Sequence, residues 1–112
     1  MKNEKELFLR LKKEWFLKIL KGEKKEEYRD YTEYYVSRLA VLDKDGEMTD
    51  TRKYDTVRFQ LGYSKTEIIV ECKDVLIEYD DDDSEEFNFD NSNFVIILGD
   101  ILEKINCESL NI

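Results

Sequence analysis

Three charged side chains of complementary chemistry fall within residues 22–29, which read G-x-K-x-x-E-x-R. Lys24 supplies a compact positive charge, Glu27 a carboxylate that accepts protons from amines, and Arg29 a fork that binds carboxylate or phosphate through two parallel hydrogen bonds. If the three converge, they suit a polar or anionic ligand. The alternative interpretation is a solvated, mixed-charge strand edge, because charge runs are usually solvated faces.

The element that carries the motif decides which of these side chains can meet. Residues 24–29 are predicted as a strand, and successive side chains of a strand point to opposite faces. Glu27 and Arg29 then share one face, while Lys24 projects to the other. Strand parity alone therefore joins only two of the three groups.

Two short helices are predicted on either side of this strand. Apolar residues at helical spacing indicate a helix over residues 13–21, which Gly22 ends in the left-handed conformation, and an alternating strand at residues 7–11 precedes it. A second helix is predicted over residues 31–39, with Asp30 as its N-cap.

The rest of the chain is predicted to be mostly β-structure. Alternating and continuous apolar runs indicate strands, and a change of parity in one of them indicates a bulge or corner of the kind that bends a barrel. The predicted elements are a surface loop at 42–53, strands at 54–61, 67–79 and 93–98, a bulge near 73–74, and a terminal helical turn at 101–105.

Composition bounds the class of protein. The chain has 112 residues, which predicts one domain over 1–112, and a net charge of −9. Residues 1–38 hold 11 Lys and Arg against 8 Asp and Glu, whereas residues 39–112 hold 7 against 19. An anionic ligand is therefore expected at the first third, and a small nucleotide or short single strand is favoured over long duplex.

The chain has no histidine and two cysteines, Cys72 and Cys107. This composition excludes histidine-dependent catalysis and histidine-ligated zinc, and two thiolates are too few for an all-cysteine zinc site. We expect no metal and no cofactor. No apolar run is long enough to span a bilayer and no secretion signal is recognisable, so the prediction is a cytoplasmic protein, without membrane association, whose thiols are separate.

The motif and the order of the surrounding elements resemble the ASCH domain family of PUA-like barrels. The resemblance extends from the strand at 7–11 through the run 15–20 and the motif at 22–29 to the segments 54–63 and 94–99, and so covers most of residues 7–103. It implies an α+β fold, a small PUA-like, mostly antiparallel β-barrel flanked by two short helices.

The resemblance also implies a function. In ASCH domains the motif residues line a cleft beside the barrel, so the chain is expected to be a nucleotide or RNA-binding module whose ligand is a nucleoside, a nucleotide or short RNA. The expected ligand-binding residues are a central cluster, Lys24, Glu27 and Arg29, with Arg38, Arg58 and Tyr63 as weaker neighbours.

Aromatic residues near the motif allow base stacking as well as packing. Helical spacing favours packing for Trp15 and Tyr35, whereas Tyr63, which lies in a turn, is equally compatible with either role.

Some ASCH proteins are metal-independent amidohydrolases that remove the acetyl group from N4-acetylcytidine, which makes such an enzyme the first alternative. Lys24 matches their catalytic lysine, but Glu27 stands where they have threonine, and its charge is expected to favour the non-nucleophilic ammonium. Their downstream glutamate has candidates only at Glu71, Glu85 or Glu86. Poor hydrolysis is therefore expected.

A second alternative arises from the acidic segment 78–90, which holds eight acids in thirteen positions. A solvated loop is the favoured interpretation, and neither this segment nor residues 43–47 has the spacing of a calcium loop. An acidic interaction protein that imitates nucleic acid and binds a basic partner is the nonenzymatic alternative.

Overall fold

Seven strands and two helices are described along the chain in an α+β arrangement, with both helices in the first 39 residues and a short 3-10 turn at the end. A computed structural model of the chain describes residues 4–79 and 92–110. In chain order the elements are β1 (Glu4–Leu11), α1 (Lys13–Leu20), β2 (Glu26–Asp30), α2 (Glu33–Leu39), β3 (Ala40–Leu42), β4 (Met48–Thr51), β5 (Tyr54–Leu61), β6 (Glu67–Tyr79), β7 (Ser92–Ile105) and a 3-10 turn at Glu108–Leu110.

Five of the strands form one sheet in the order β1-β5-β6-β7-β2. Only β1 and β5 run parallel, and the other neighbours are antiparallel. The sheet curls into a half-barrel, which confirms the predicted α+β class with a mostly antiparallel, barrel-like sheet and two short helices. Strands β1 and β2 are its two edges, so the barrel is open between them.

The core fills the concave side of this sheet. Alternate residues of the strands point inward, and α1 covers them with Phe16, Ile19 and Leu20. The fully buried large side chains are Phe16, Leu39, Val57, Phe59, Ile68, Val70, Val75, Phe94 and Ile96.

The predicted end of the first helix is confirmed. Gly22 has φ +79°, its N–H donates to Ile19 at 3.0 Å, and the next N–H, of Glu23, donates to Lys18 at 2.9 Å. This pair of bonds is a Schellman motif, which satisfies the last carbonyls of the helix and turns the chain sharply into β2.

The predicted cap of the second helix is wrong. Thr32 is the N-cap, and its hydroxyl oxygen accepts from the Tyr35 N–H at 3.3 Å. Asp30 instead ends β2, where it pairs with Asn93. Thr32 offers the same capping chemistry two residues later, so the helix begins there and Asp30 remains part of β2.

The predicted surface loop at 42–53 is a hairpin in which β3 and β4 form a separate two-stranded sheet. Its turn is held by Asp43, whose carboxylate accepts from two turn N–H groups at 2.9 Å each. Thr51 fastens it to the barrel by donating its hydroxyl to the Val75 carbonyl. These strands are short and largely exposed, so their sequence lacks the apolar alternation on which strand prediction depends.

The strands β6 and β7 form a long antiparallel pair. Register shifts between Cys72 and Asp74 confirm the predicted bulge near 73–74. The helical turn predicted at 101–105 is wrong, because β7 continues to Ile105 and pairs there with the start of β6.

Several other predictions concern the rest of the chain. Of the acidic segment 78–90, residues 78 and 79 belong to β6, and residues 80–90 lie outside the described part of the chain.

Both cysteines are free, as predicted, and burial raises the pKa of the Cys72 thiol to about 11. No helix within the described ranges is long and apolar enough to cross a bilayer.

Candidate functional site

Strand β2 turns two charged side chains toward the core side of the sheet. Glu27 lies opposite Ile96 and Arg29 opposite Phe94 in the antiparallel register, and directly opposed residues share a face. The side chain between them, Tyr28, points outward and is 47% exposed, whereas Glu27 is only 7% exposed. A carboxylate at this depth needs compensation for the water it has lost.

Two cations supply that compensation, one at each carboxylate oxygen. Lys24 Nζ lies 3.4 Å from Glu27 Oε1, and the Arg29 guanidinium reaches Glu27 Oε2 through Nη2 at 2.7 Å and Nε at 3.0 Å. Glu27 therefore joins the sequence-predicted cluster, because Lys24 and Arg29 both contact its carboxylate. We call these three residues the ion cluster.

Arg29 also joins the two edges of the sheet. Its Nη1 donates to the Tyr35 hydroxyl at 2.7 Å, and its Nη2 donates to the backbone carbonyl of Arg10, on β1, at 3.0 Å. One planar guanidinium thus contacts β1, β2 and α2 at once. It bridges the opening between the edge strands and fixes its own orientation there.

Lys24 contacts Glu27 because it lies before β2 begins, so the alternation of side chains along the strand does not fix its direction. The turn after Gly22 lets the Lys24 N–H donate to the Lys18 carbonyl at 3.2 Å. Its ammonium then lies 5.2 Å from the centre of the Trp15 ring and 5.7 Å from that of Tyr28. Cation–π contacts and the ion pair are interactions of the charged ammonium, which the free amine would forfeit.

A cleft of about 520 Å³ opens over the ion cluster, between the edge strands and the two helices. Its walls are Arg10, Leu11, Lys12, Trp15, Glu27, Tyr28, Arg29, Asp30 and Tyr35. Lys24 lines an adjoining hollow of about 290 Å³ that shares Trp15 and Tyr28 with the cleft. Glu27 and Arg29 line the cleft, whereas Lys24, which contacts Glu27, opens on the neighbouring depression.

Trp15 differs from its predicted packing role. Helix α1 buries Phe16 beside it, whereas Trp15 is 39% exposed and forms a wall between the two depressions. Tyr35, by contrast, is partly buried and packs against the core, as its spacing predicted. The negative charge of Glu26 raises the pKa of Tyr28, whose hydroxyl donates to Glu26 at 3.3 Å.

The three weaker neighbours are placed differently from one another. Tyr63 is 88% exposed in the turn after β5, and that turn is tied to the end of β1 by the Gly62 N–H, which donates to Leu11. The Arg10 guanidinium lies 4.5 Å above the Tyr63 ring, so Tyr63 contacts one of the residues that line the cleft.

Arg38 and Arg58 do not line the cleft. Arg58 lies on the outer face of β5, where Glu6 and Glu67 bind it at 3.0 and 2.6 Å. Arg38 stacks over the exposed Tyr34 ring at 4.6 Å on α2. Their role as weaker ligand-binding neighbours stays a sequence-based prediction.

Sequence reasoning missed Arg10 as a candidate. Its guanidinium is placed by the rings of Phe8 and Tyr63, at 5.3 and 4.5 Å, and it forms no ion pair with a described residue. The alternation of residues on β1 shows from the sequence alone that Arg10 points outward. The sequence does not show that the β1 edge of the sheet lies close to the motif on β2.

Of the glutamates that could match those of the amidohydrolases, only Glu71 lies in the described part of the chain. Glu71 packs against Gly99 and accepts from the Asp100 N–H at 3.4 Å, on the face of β6 opposite the core, and Glu85 and Glu86 lie outside the described part. Within residues 4–79 and 92–110, no group of three or more histidine, cysteine or acidic side chains is placed to hold a metal ion.

Comparisons of the chain with models of protein families, with curated proteins and with solved structures find no match. The resemblance to ASCH domains therefore stays a prediction that depends on the motif and on the order of the elements.

Proposed function

We propose that this protein is an ASCH-like module that binds a nucleotide or a short RNA segment in the cleft between β1 and β2. The observation that carries the proposal is the Glu27–Arg29 ion pair in the lining of an open cleft that two exposed aromatic rings, Trp15 and Tyr28, border. A cytoplasmic location, expected from the sequence, is part of the proposal.

Each part of the cleft matches a part of such a ligand. Flat bases stack on aromatic rings, which contributes about 1 to 3 kcal/mol per base. Arg10 and Lys12 border the cleft with positive charge that suits phosphate. Glu27 already binds two cations, but a carboxylate has about four lone-pair positions, so Oε1 can still accept from the amine of a base.

Trp15 makes the proposal directly testable, because it is the only tryptophan of the chain. Titration with nucleosides, nucleotides and short RNA should change its fluorescence saturably. Tyr28→Ala should weaken binding about tenfold through loss of one stacking surface, whereas Tyr28→Phe retains the ring and serves as the matched control. No saturable change with any of these ligands at millimolar concentration would refute the proposal.

The amidohydrolase alternative leads to a second prediction. The wild-type protein should release no acetate from N4-acetylcytidine above the background rate, because the Lys24 ammonium is held by Glu27 and by two aromatic rings. Loss of the acetylated nucleoside, followed chromatographically, measures this. Rapid turnover that disappears in Lys24→Ala would make the hydrolase the leading function.

A further inference from the structure

Three depressions adjoin one another through the residues that line them. The cleft shares Trp15 and Tyr28 with the hollow at Lys24, and that hollow shares Lys24 and Lys25 with a third depression of about 370 Å³. The third depression lies beyond the Gly22 turn, between the end of α1 and β7. We call the three together the basic groove. It runs from Arg10 at one end to Lys104 at the other.

The basic groove is cationic in a strongly acidic chain. It is lined by eight cationic side chains, Arg10, Lys12, Lys18, Lys21, Lys24, Lys25, Arg29 and Lys104, against five acidic ones, Glu23, Glu26, Glu27, Asp30 and Asp100. The chain as a whole carries −9. Such a local excess attracts an anionic ligand and leaves other surfaces unattractive to it.

The far end of the groove, at the third depression, holds lysines that have no ionic partner among the described residues. Lys21, Lys25 and Lys104 form no ion pair with any residue of the described ranges, unlike Lys24 and Arg29 in the ion cluster. Leu20, Val70, Leu98 and Ile101 also line the third depression. Ammonium groups without an ionic partner suit a ligand that carries spaced negative charges.

The aromatic walls stand where the depressions meet. Trp15 and Tyr28 each face both the cleft and the hollow at Lys24, and Tyr63 stands at the Arg10 end. Rings in these positions stack on the faces of unpaired bases, which a duplex does not offer. A free nucleoside would occupy the cleft alone and would not contact the lysines of the third depression.

We infer that the basic groove binds a single-stranded oligonucleotide rather than an isolated nucleoside. One base enters the cleft beside Trp15 and Tyr28, and the phosphates of the following nucleotides pass over the Gly22 turn to Lys21, Lys25 and Lys104. This inference rests on the proposed function, to which it adds the length of the ligand and the direction in which it leaves the cleft.

Fluorescence anisotropy with labelled oligouridylates tests the length. Affinity should rise at least about tenfold from the mononucleotide to the hexanucleotide, since each added phosphate contact displaces counterions, and single-stranded binding should fall with salt with a slope of about 0.7 per phosphate. Single-stranded DNA of the same length and an RNA hairpin distinguish the source of the strand. Binding of the hairpin tighter than that of the single strands would overturn the inference.

A charge reversal tests the direction. Lys104→Glu should weaken hexanucleotide binding about tenfold and reduce its salt slope, yet change mononucleotide binding less than about twofold. Lys44→Glu, at the exposed turn of the β3–β4 hairpin, makes the same change in net charge and should alter neither.

The outcomes separate the inference from the proposed function. If mononucleotides bind but affinity does not grow with length, or if Lys104→Glu affects the two ligands equally, the inference fails and the proposed function stands. If no nucleotide or oligonucleotide binds, both fail.

Discussion

Replacing Glu27 with alanine is expected to lower the free energy of unfolding by about 3 kcal/mol, a large part of the stability of a domain this size. The reason is the burial of its partners. Lys24 and Arg29 both direct their charges at the Glu27 carboxylate from partly buried positions. Removal of the carboxylate leaves two cations facing the core side of the sheet without a counterion.

Urea denaturation followed by circular dichroism measures the effect, and the adjacent strand residue provides the control. Glu26→Ala removes the same charge from the exposed face of β2 and should change the free energy of unfolding by less than about 0.5 kcal/mol. Equal effects of the two substitutions would show that Glu27 is not a stabilising centre and that the ion cluster is a surface feature.

This expectation extends to Glu27→Thr, which introduces the residue of the ASCH amidohydrolases. Threonine cannot satisfy both cations, so the variant is expected to be destabilised like Glu27→Ala instead of gaining turnover. Loss of ligand binding in any Glu27 variant must accordingly be compared with its folding. Tyr28 and Lys104 are better probes of binding, because neither belongs to the ion cluster.

The sequence contained most of the local structure of the candidate site. Parity joins Glu27 with Arg29, and Gly22 fixes the turn that precedes them, because both signals act within a few residues. Lys24 was included only through the family resemblance, since parity places it on the other face. Its actual position follows from lying before the strand begins.

The pairing of strands that lie far apart in the chain could not be predicted from the sequence. Arg58 is bound by Glu6, 52 residues away, through the parallel pairing of β1 with β5. Nothing in the spacing of the residues reveals that register, so Arg58 was predicted beside the cleft and Arg10, which lines it, was overlooked. The length of β7 was underestimated for the same reason, because its second half is held by pairing with β6.

Arg29→Lys is expected to destabilise the protein by about 2 kcal/mol even though it preserves the charge. The guanidinium binds Glu27, the Tyr35 hydroxyl and the Arg10 carbonyl in one plane, and an ammonium cannot reach three groups in those directions. The bridge between β1 and β2 is lost, so the β1 edge near Arg10 should also exchange its amide hydrogens faster.

Arg58→Lys is the matched control for this last prediction. Arg58 also lies on a strand and also binds two carboxylates, but its side chain is 30% exposed and its partners lie on the outer face. Exposed ion pairs contribute little, so the expected change is below about 0.5 kcal/mol. Denaturant unfolding and amide exchange of both variants provide the comparison. A similar loss in the two would mean that Arg29 acts only as a surface charge, and unchanged exchange along β1 would show that its bond to the Arg10 carbonyl does not close the barrel.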